Sequence, residues 1–178
     1  YGGGNSLFVS VAAGTPIGFF EGVLGGDTRV VRSMPNTPAA IGQGITAIVG
    51  NAATGPEDLA LAEALLAALG QVVRLDNEDQ IDAVTGVSGS GPAYVFHMID
   101  ALAAAGVAEG LPETLAMELA KATVAGAGAL AMAADETVVA IVADESVVEI
   151  DAFQKVTALD ALQDIVVQDA VEAVVAHI

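Results

Sequence analysis

Side chains able to donate, accept or attack are scarce in this sequence. Among 178 residues there are two histidines, His97 and His177, and no cysteine, which removes a thiol nucleophile and a thiolate metal site. Neither histidine has an acid and a hydroxyl spaced to form a triad. No His-x-x-x-His or Glu-x-x-His pairing offers zinc ligands, so no metal is expected. Four acids, Asp76, Glu78, Asp79 and Asp82, lie close together; taken alone they read as the solvated start of a helix, where the dipole favours negative charge. Gly86-Val87-Ser88-Gly89-Ser90-Gly91-Pro92 opens a strongly helical segment whose first N–H groups could hold an anion, although a Gly/Ser cap is the simpler reading of that stretch alone. Gly2-Gly3-Gly4 precedes a strand, whereas a dinucleotide-binding turn follows one, so it is not read as a phosphate loop.

The elements that must position these groups are legible from hydrophobic spacing and from Gly and Pro. Leu7–Val11 reads as a strand, Ile17–Leu24 as a helix stopped by Gly25-Gly26, and 28–32 as a second strand ending at Met34-Pro35-Asn36-Thr37-Pro38, where two prolines forbid continuing regular structure. Ile45–Val49 is a third strand. A helix follows, with Pro56 in its first turn, Glu57 and Asp58 at its positive end and Gly70 as its cap, and then a fourth strand at 72–75. The order β-α-β-β-α-β over 1–75 predicts an α/β sheet. Beyond Asn77 the pattern becomes helical: about 91–105 and 112–133 are helices separated by a Gly106…Gly110-Leu111-Pro112 break, and 151–178 has helical apolar spacing. Residues 136–150 are β-like in propensity.

Composition narrows the functional classes. Five Lys+Arg stand against 23 Asp+Glu, a formal charge of −18. Counterion release at nucleic acid or an anionic membrane needs clustered bases, so neither is expected as a partner. The chain is 54% hydrophobic, but its longest strongly apolar stretch, 122–134, falls short of the ~20 residues of a spanning helix. The first five residues lack a basic region followed by an apolar core, so no signal peptide is read there. A soluble, cytoplasmic protein is the expectation. The charge is uneven: residues 1–134 hold 13 acids and 4 bases, and 135–178 hold 10 acids and 1 base, a net −9 in each part.

In combination, three segments resemble the pyrroline-5-carboxylate reductase family: Val31-Arg32-Ser33-Met34-Pro35-Asn36-Thr37-Pro38, Gly42-Gln43-Gly44-Ile45-Thr46-Ala47, and Asp82-Ala83-Val84-Thr85-Gly86-Val87-Ser88-Gly89-Ser90-Gly91-Pro92-Ala93-Tyr94-Val95-Phe96. Asp100-Ala101-Leu102, Gly106-Val107 and Gly110-Leu111-Pro112 follow in the same order. The resemblance implies α/β plus all-α architecture: the latter half of a Rossmann-like sheet over 1–76, then a helical dimerisation and substrate domain over 77–178. It implies reduction of 1-pyrroline-5-carboxylate to L-proline with NADP or NAD, in a homodimer or a ring of dimers. A protonated imine accepts hydride readily once the nicotinamide is placed over it, so positioning supplies most of the catalysis and no triad is needed. By resemblance, Val11, Ala12, Ala13, Met34, Pro35 and Asn36 lie at the nicotinamide and its ribose, and Glu78, Ser88 and Ser90 at the substrate.

Two departures from that family set further expectations. Its opening β-α-β half, with the Gly-x-Gly-x-x-Gly turn, has no counterpart in this sequence, so weak binding of NAD(P)H is expected. Where the family has Val-Thr-Ser-Pro-Gly-Gly-Thr-Thr, this chain reads Val142-Ala143-Asp144-Glu145-Ser146-Val147-Val148-Glu149. Three acids at a site for a carboxylate repel it, at about 1 kcal/mol for each charge pair 4 Å apart in water and more where water is excluded. An impaired reaction is therefore expected, and the alternative is a non-catalytic helical dimerisation module or an altered relative of the reductase.

Overall fold

A computed structural model describes residues 6–133. The helix expected at 151–178, the β-like stretch 136–150 and the acidic segment 142–149 lie outside the described residues. The chain divides into two compact units, one ending at Pro92 and the other beginning at Ala93.

The first unit follows the expected element order. It contains β1 (Leu7–Ser10), α1 (Ile17–Leu24), β2 (Arg29–Met34), β3 (Gly44–Gly50), α2 (Pro56–Leu66), β4 (Gly70–Arg74) and α3 (Gln80–Val84). The four strands form one sheet in the order β1-β2-β3-β4. β1 runs parallel to β2, β2 antiparallel to β3, and β3 parallel to β4. The register sets Ser10 beside Arg32, Ser33 beside Ile48, and Ile48 beside Arg74.

Strand alternation sends neighbouring residues of β2 to opposite faces. Val30 and Met34 pack with Ile17, Val49 and Ile81 on the face covered by α1 and α3, while Val31 packs with Ile48, Ala62 and Leu66 against α2. Both faces of the central strands are therefore covered, which is why they read as apolar runs rather than as an apolar and polar alternation.

The turns differ from expectation in two places. β2 continues through Ser33 and Met34 to the residue before Pro35, because Met34 still pairs with Ala47; the segment Thr37–Ile41 then makes a 3-10 turn with Pro38 near its start and Gly42 at φ +71 closing it. Proline is tolerated there because the first N–H groups of a helical turn have no internal partner. α2 ends at Leu66 and passes through a 3-10 turn, Ala67–Leu69, before Gly70 begins β4 directly.

Asn51 ties the first unit together from its buried position after β3. Its Nδ2 donates to the Thr28 carbonyl at 2.8 Å and to Glu21 Oε1 at 2.9 Å, and its Oδ1 accepts from the Val30 N–H at 3.1 Å and the Thr54 hydroxyl at 2.7 Å. Asn51→Ala strands the buried Val30 N–H, and its expected cost is about 1–3 kcal/mol, read as a lower urea midpoint with unchanged slope. A midpoint equal to that of the unaltered chain would contradict this account.

The second unit holds most of α4 (Gly91–Ala108) and all of α5 (Glu113–Ala133). Among its described residues Ala103, Ala116 and Ala120 are buried, with Ile99, Leu102 and Met117 packed around them. A Cβ on Gly106 would lie 3.1 Å from the Ala116 Cβ and 3.2 Å from Leu111 Cδ1, so the two helices meet closely at that point. Much apolar surface stays uncovered, including Phe96, Leu119, Leu130 and Met132.

The expectation that no segment has the length of a membrane span needs correcting. The continuous helical stretch Gln80–Ala108 and the helix Glu113–Ala133 are both long and apolar enough, by length and composition alone. Counting uninterrupted apolar residues missed them, because alanine, glycine and a few single polar residues break the run without adding much charge.

Candidate functional site

Two parallel strands bring their carboxyl ends to one edge of the sheet, the usual place for a ligand in an open α/β fold. From β1 the chain leaves as Val11-Ala12-Ala13, all three exposed. The Ala12 N–H donates to Ser10 Oγ at 3.2 Å, and Gly14 turns the loop with φ +69. From β2 it leaves as Met34-Pro35-Asn36, with Met34 buried and Pro35 and Asn36 half-buried. The Ser33 hydroxyl donates to the Ser10 carbonyl at 2.7 Å, which binds the two strand ends together. Asn36 Oδ1 accepts the Ile45 N–H at 3.0 Å, so this side chain fixes the start of β3 as well as its own turn.

Glu78 does not behave as a solvated member of an acidic cluster. Its Oε1 accepts from Arg32 Nη1 at 2.7 Å and from the Ile17 N–H, the first of α1, also at 2.7 Å. The Arg32 side chain is 7% exposed and that of Glu78 29%. Arg32 lies on β2 between Val30 and Met34 and emerges on the face covered by α1 and α3. A guanidinium in that apolar layer requires a carboxylate partner, since an unpaired buried charge is strongly unfavourable. The neighbouring acids Asp76, Asp79 and Asp82 are exposed. Spacing along the chain could not reveal the Arg32 partner, which stands 46 residues from Glu78.

The Gly/Ser segment is a π-helical turn rather than the open start of a helix. Thr85–Gly89 takes the wider winding, and the Ser90 N–H donates to the Thr85 carbonyl at 2.8 Å. That N–H is thus unavailable to an anion. Single π turns inside helices are uncommon and recur at functional sites. Ser88 and Ser90 are half-buried, and a Cβ placed on Gly89 between them would stand 3.9 Å from Met34 Sδ. The residues singled out at the two strand ends, together with Glu78 and the Gly/Ser turn, are gathered within the first unit. His97 is exposed on α4, and among the described residues no group of acids and histidines could hold a metal ion.

Residues 78–177 match the family model described as pyrroline-5-carboxylate reductase dimerisation. This chain belongs to the pyrroline-5-carboxylate reductase family. It is 46% identical over 136 residues to a pyrroline-5-carboxylate reductase of Synechocystis, an overlap of 76% of this chain and 50% of that protein. It is 48% identical over 127 residues to the one from Arabidopsis thaliana, covering 71% of this chain and 45% of the relative. The chain therefore spans about half the length of the curated relatives it matches.

Solved structures agree on the fold. The pyrroline-5-carboxylate reductase of Coxiella burnetii superposes with a TM-score of 0.79 at 32% identity, over 94% of this chain and 63% of that one. The Plasmodium falciparum pyrroline carboxylate reductase, solved with NADP bound, gives 0.78 at 29% identity, over 94% and 67%. Part of a Rossmann-like sheet followed by helices of the dimerisation domain is the architecture of this pyrroline-5-carboxylate reductase family member.

Proposed function

We propose that this chain is part of an NAD(P)H-dependent enzyme that reduces 1-pyrroline-5-carboxylate to L-proline. The observation that carries this reading is the 46% identity to a pyrroline-5-carboxylate reductase across 76% of the chain. Hydride passes from the nicotinamide to the carbon of the protonated C=N bond, the π electrons settle on nitrogen, and the products are the secondary amine and NAD(P)+. The residues at the carboxyl ends of β1 and β2 fit a flat ring: Val11, Ala12 and Ala13 are small and exposed, leaving room above the strand ends. In this reading Val11, Ala12, Ala13, Met34, Pro35 and Asn36 receive the nicotinamide and its ribose. Glu78, Ser88 and Ser90 receive the substrate, with the Glu78 carboxylate suited to the imine N–H.

Residues 1–76 then form part of the nucleotide domain and 77–178 the dimerisation domain of a cytoplasmic homodimer. The exposed apolar residues of α4 and α5 supply surface for a second copy, and burying them in a dimer accounts for their membrane-like composition in a soluble protein. The acids of 142–149 favour a second reading, a dimerisation module without the reaction.

NADPH oxidation with pyrroline-5-carboxylate separates the two, measured for this chain and for the chain preceded by the opening half of a relative's nucleotide domain. Turnover in the extended chain is expected; none in either would overturn the enzymatic reading. Sedimentation at low micromolar concentration is expected to show a dimer, and monomer alone would overturn the proposed assembly.

A further inference from the structure

The Arg32–Glu78 pair joins an apolar layer of the first unit to the acid that the proposed function assigns to substrate. Among the described residues, the Arg32 side chain donates from Nη1 to Glu78 Oε1, and its buried Nε has no partner. Arg32 is thus a buried residue of β2, on the same strand face as Val30 and Met34, and its side chain is held by Glu78. Glu78 has two oxygens with different surroundings. Oε1 is shared by Arg32 and the first N–H of α1. Oε2 takes up no hydrogen bond among the described residues, and the side chain keeps 29% of its surface exposed.

We infer that Arg32 is a positioning residue: by engaging Oε1 together with the Ile17 N–H, it turns Glu78 so that Oε2 is the oxygen presented to the substrate's ring N–H. This inference rests on the substrate role proposed for Glu78. Two donors converging on one oxygen restrict the carboxylate far more than one flexible contact would, and a displacement of about 1 Å at a substrate-orienting group can cost on the order of 10²-fold. Arg32 touches neither substrate nor cofactor in this account. It acts through Glu78 alone, so its loss leaves the nucleotide side of the reaction intact.

Arg32→Met, Arg32→Lys, Glu78→Ala and the double variant Arg32→Met/Glu78→Ala test this, compared at a temperature where all four are folded. In NADPH oxidation by the extended chain, Arg32→Met is expected to raise the KM for pyrroline-5-carboxylate by roughly 10²-fold with the KM for NADPH unchanged. Arg32→Lys restores part of the loss, because an ammonium can reach Oε1 but lacks the planar fork. In the Glu78→Ala background, Arg32→Met is expected to cost nothing more. An equal loss in both backgrounds, or an equal rise in both KM values, would overturn the inference. Arg32→Gln replaces Arg32→Met if that variant does not fold.

Amide exchange at Ile17 provides a reading independent of turnover. Arg32→Met is expected to speed exchange of the Ile17 N–H by about tenfold, and Arg32→Lys to leave it nearly protected. Unchanged exchange in Arg32→Met would show that Arg32 does not hold Glu78 in place. If no form of the chain turns over, the proposed function fails, while this measurement still decides what Arg32 does.

Discussion

Gly70→Ala is expected to destabilise the α/β unit severely. Gly70 has φ +134, and a Cβ built on it would fall 2.0 Å from the Gly44 carbonyl oxygen and 2.6 Å from the Gly44 nitrogen. The two glycines are opposite one another in the β3–β4 ladder, so the clash is with strand backbone, which cannot rotate aside as a side chain can. Gly44 has no room to retreat, because a Cβ on it would already stand 2.8 Å from the Ala39 backbone. Backbone strain at a conformation that L residues rarely adopt costs about 1–3 kcal/mol, and overpacking adds about 1–3 kcal/mol. Against a total stability of roughly 5–15 kcal/mol for a domain, the sum removes much of what holds the unit folded. Circular dichroism on heating is expected to show a melting point lower by about 4–8 °C for each kcal/mol lost, or no cooperative transition at all. Gly22→Ala serves as the contrast. That glycine is inside α1 with nothing within 4 Å of its Cβ position, and the substitution is expected to gain about 0.5–1 kcal/mol. Equal melting points for the two variants would refute the argument.

Removing either partner of the Arg32–Glu78 pair has unequal consequences for stability. Glu78→Ala leaves a guanidinium that is 7% exposed without its carboxylate, and the expected loss is about 3–5 kcal/mol. Arg32→Met places an apolar side chain of similar length on the strand face that carries Val30 and Met34 and leaves Glu78, 29% exposed, able to recruit water. Its expected cost is about 1 kcal/mol or less, in the range of pairs that solvent can replace. Chemical denaturation of both variants measures the difference directly. A loss from Arg32→Met as large as that from Glu78→Ala would mean that Glu78 is stranded by burial as severely as Arg32, contrary to this account.

Local chemistry made most of the first unit legible. The helix at Ile17–Leu24 has the expected bounds because Pro16 begins it and Gly25, at φ +97, ends it with its N–H on the Glu21 carbonyl at 2.9 Å. Val-rich runs marked the strands, and Pro56 with Glu57 and Asp58 marked α2. The family was legible too, since Met34-Pro35-Asn36-Thr37-Pro38 and Ser88-Gly89-Ser90-Gly91-Pro92 occur together in the right order. Contacts between distant parts of the chain were not legible. Glu78 looked like a surface acid because its neighbours in sequence are surface acids, and nothing in their spacing points to Arg32. The π turn at Thr85–Gly89 escaped notice for a different reason. Glycine and serine favour caps and turns, so the same residues describe a helix start equally well; the fold selects the wide turn by carrying helical structure through from Gln80.

Register gives this sheet a ruler. β4 runs opposite to β2, yet its last residue, Arg74, stands in rank with Ile48 and Ser33, so the chain leaves the sheet's edge level with the end of β2. Glu78, four residues later, is then within reach of Arg32 and of the start of α1. A slip of β4 by two residues would preserve which side chains face which layer, and so would leave the apolar pattern satisfied, but it would carry the strand end about 7 Å along the sheet. That distance exceeds a hydrogen bond by more than two to one. A slip would set a residue with a Cβ opposite Gly44, where Gly70 shows there is no room for one, so a residue at one end of β4 helps set the position of a carboxylate beyond the other.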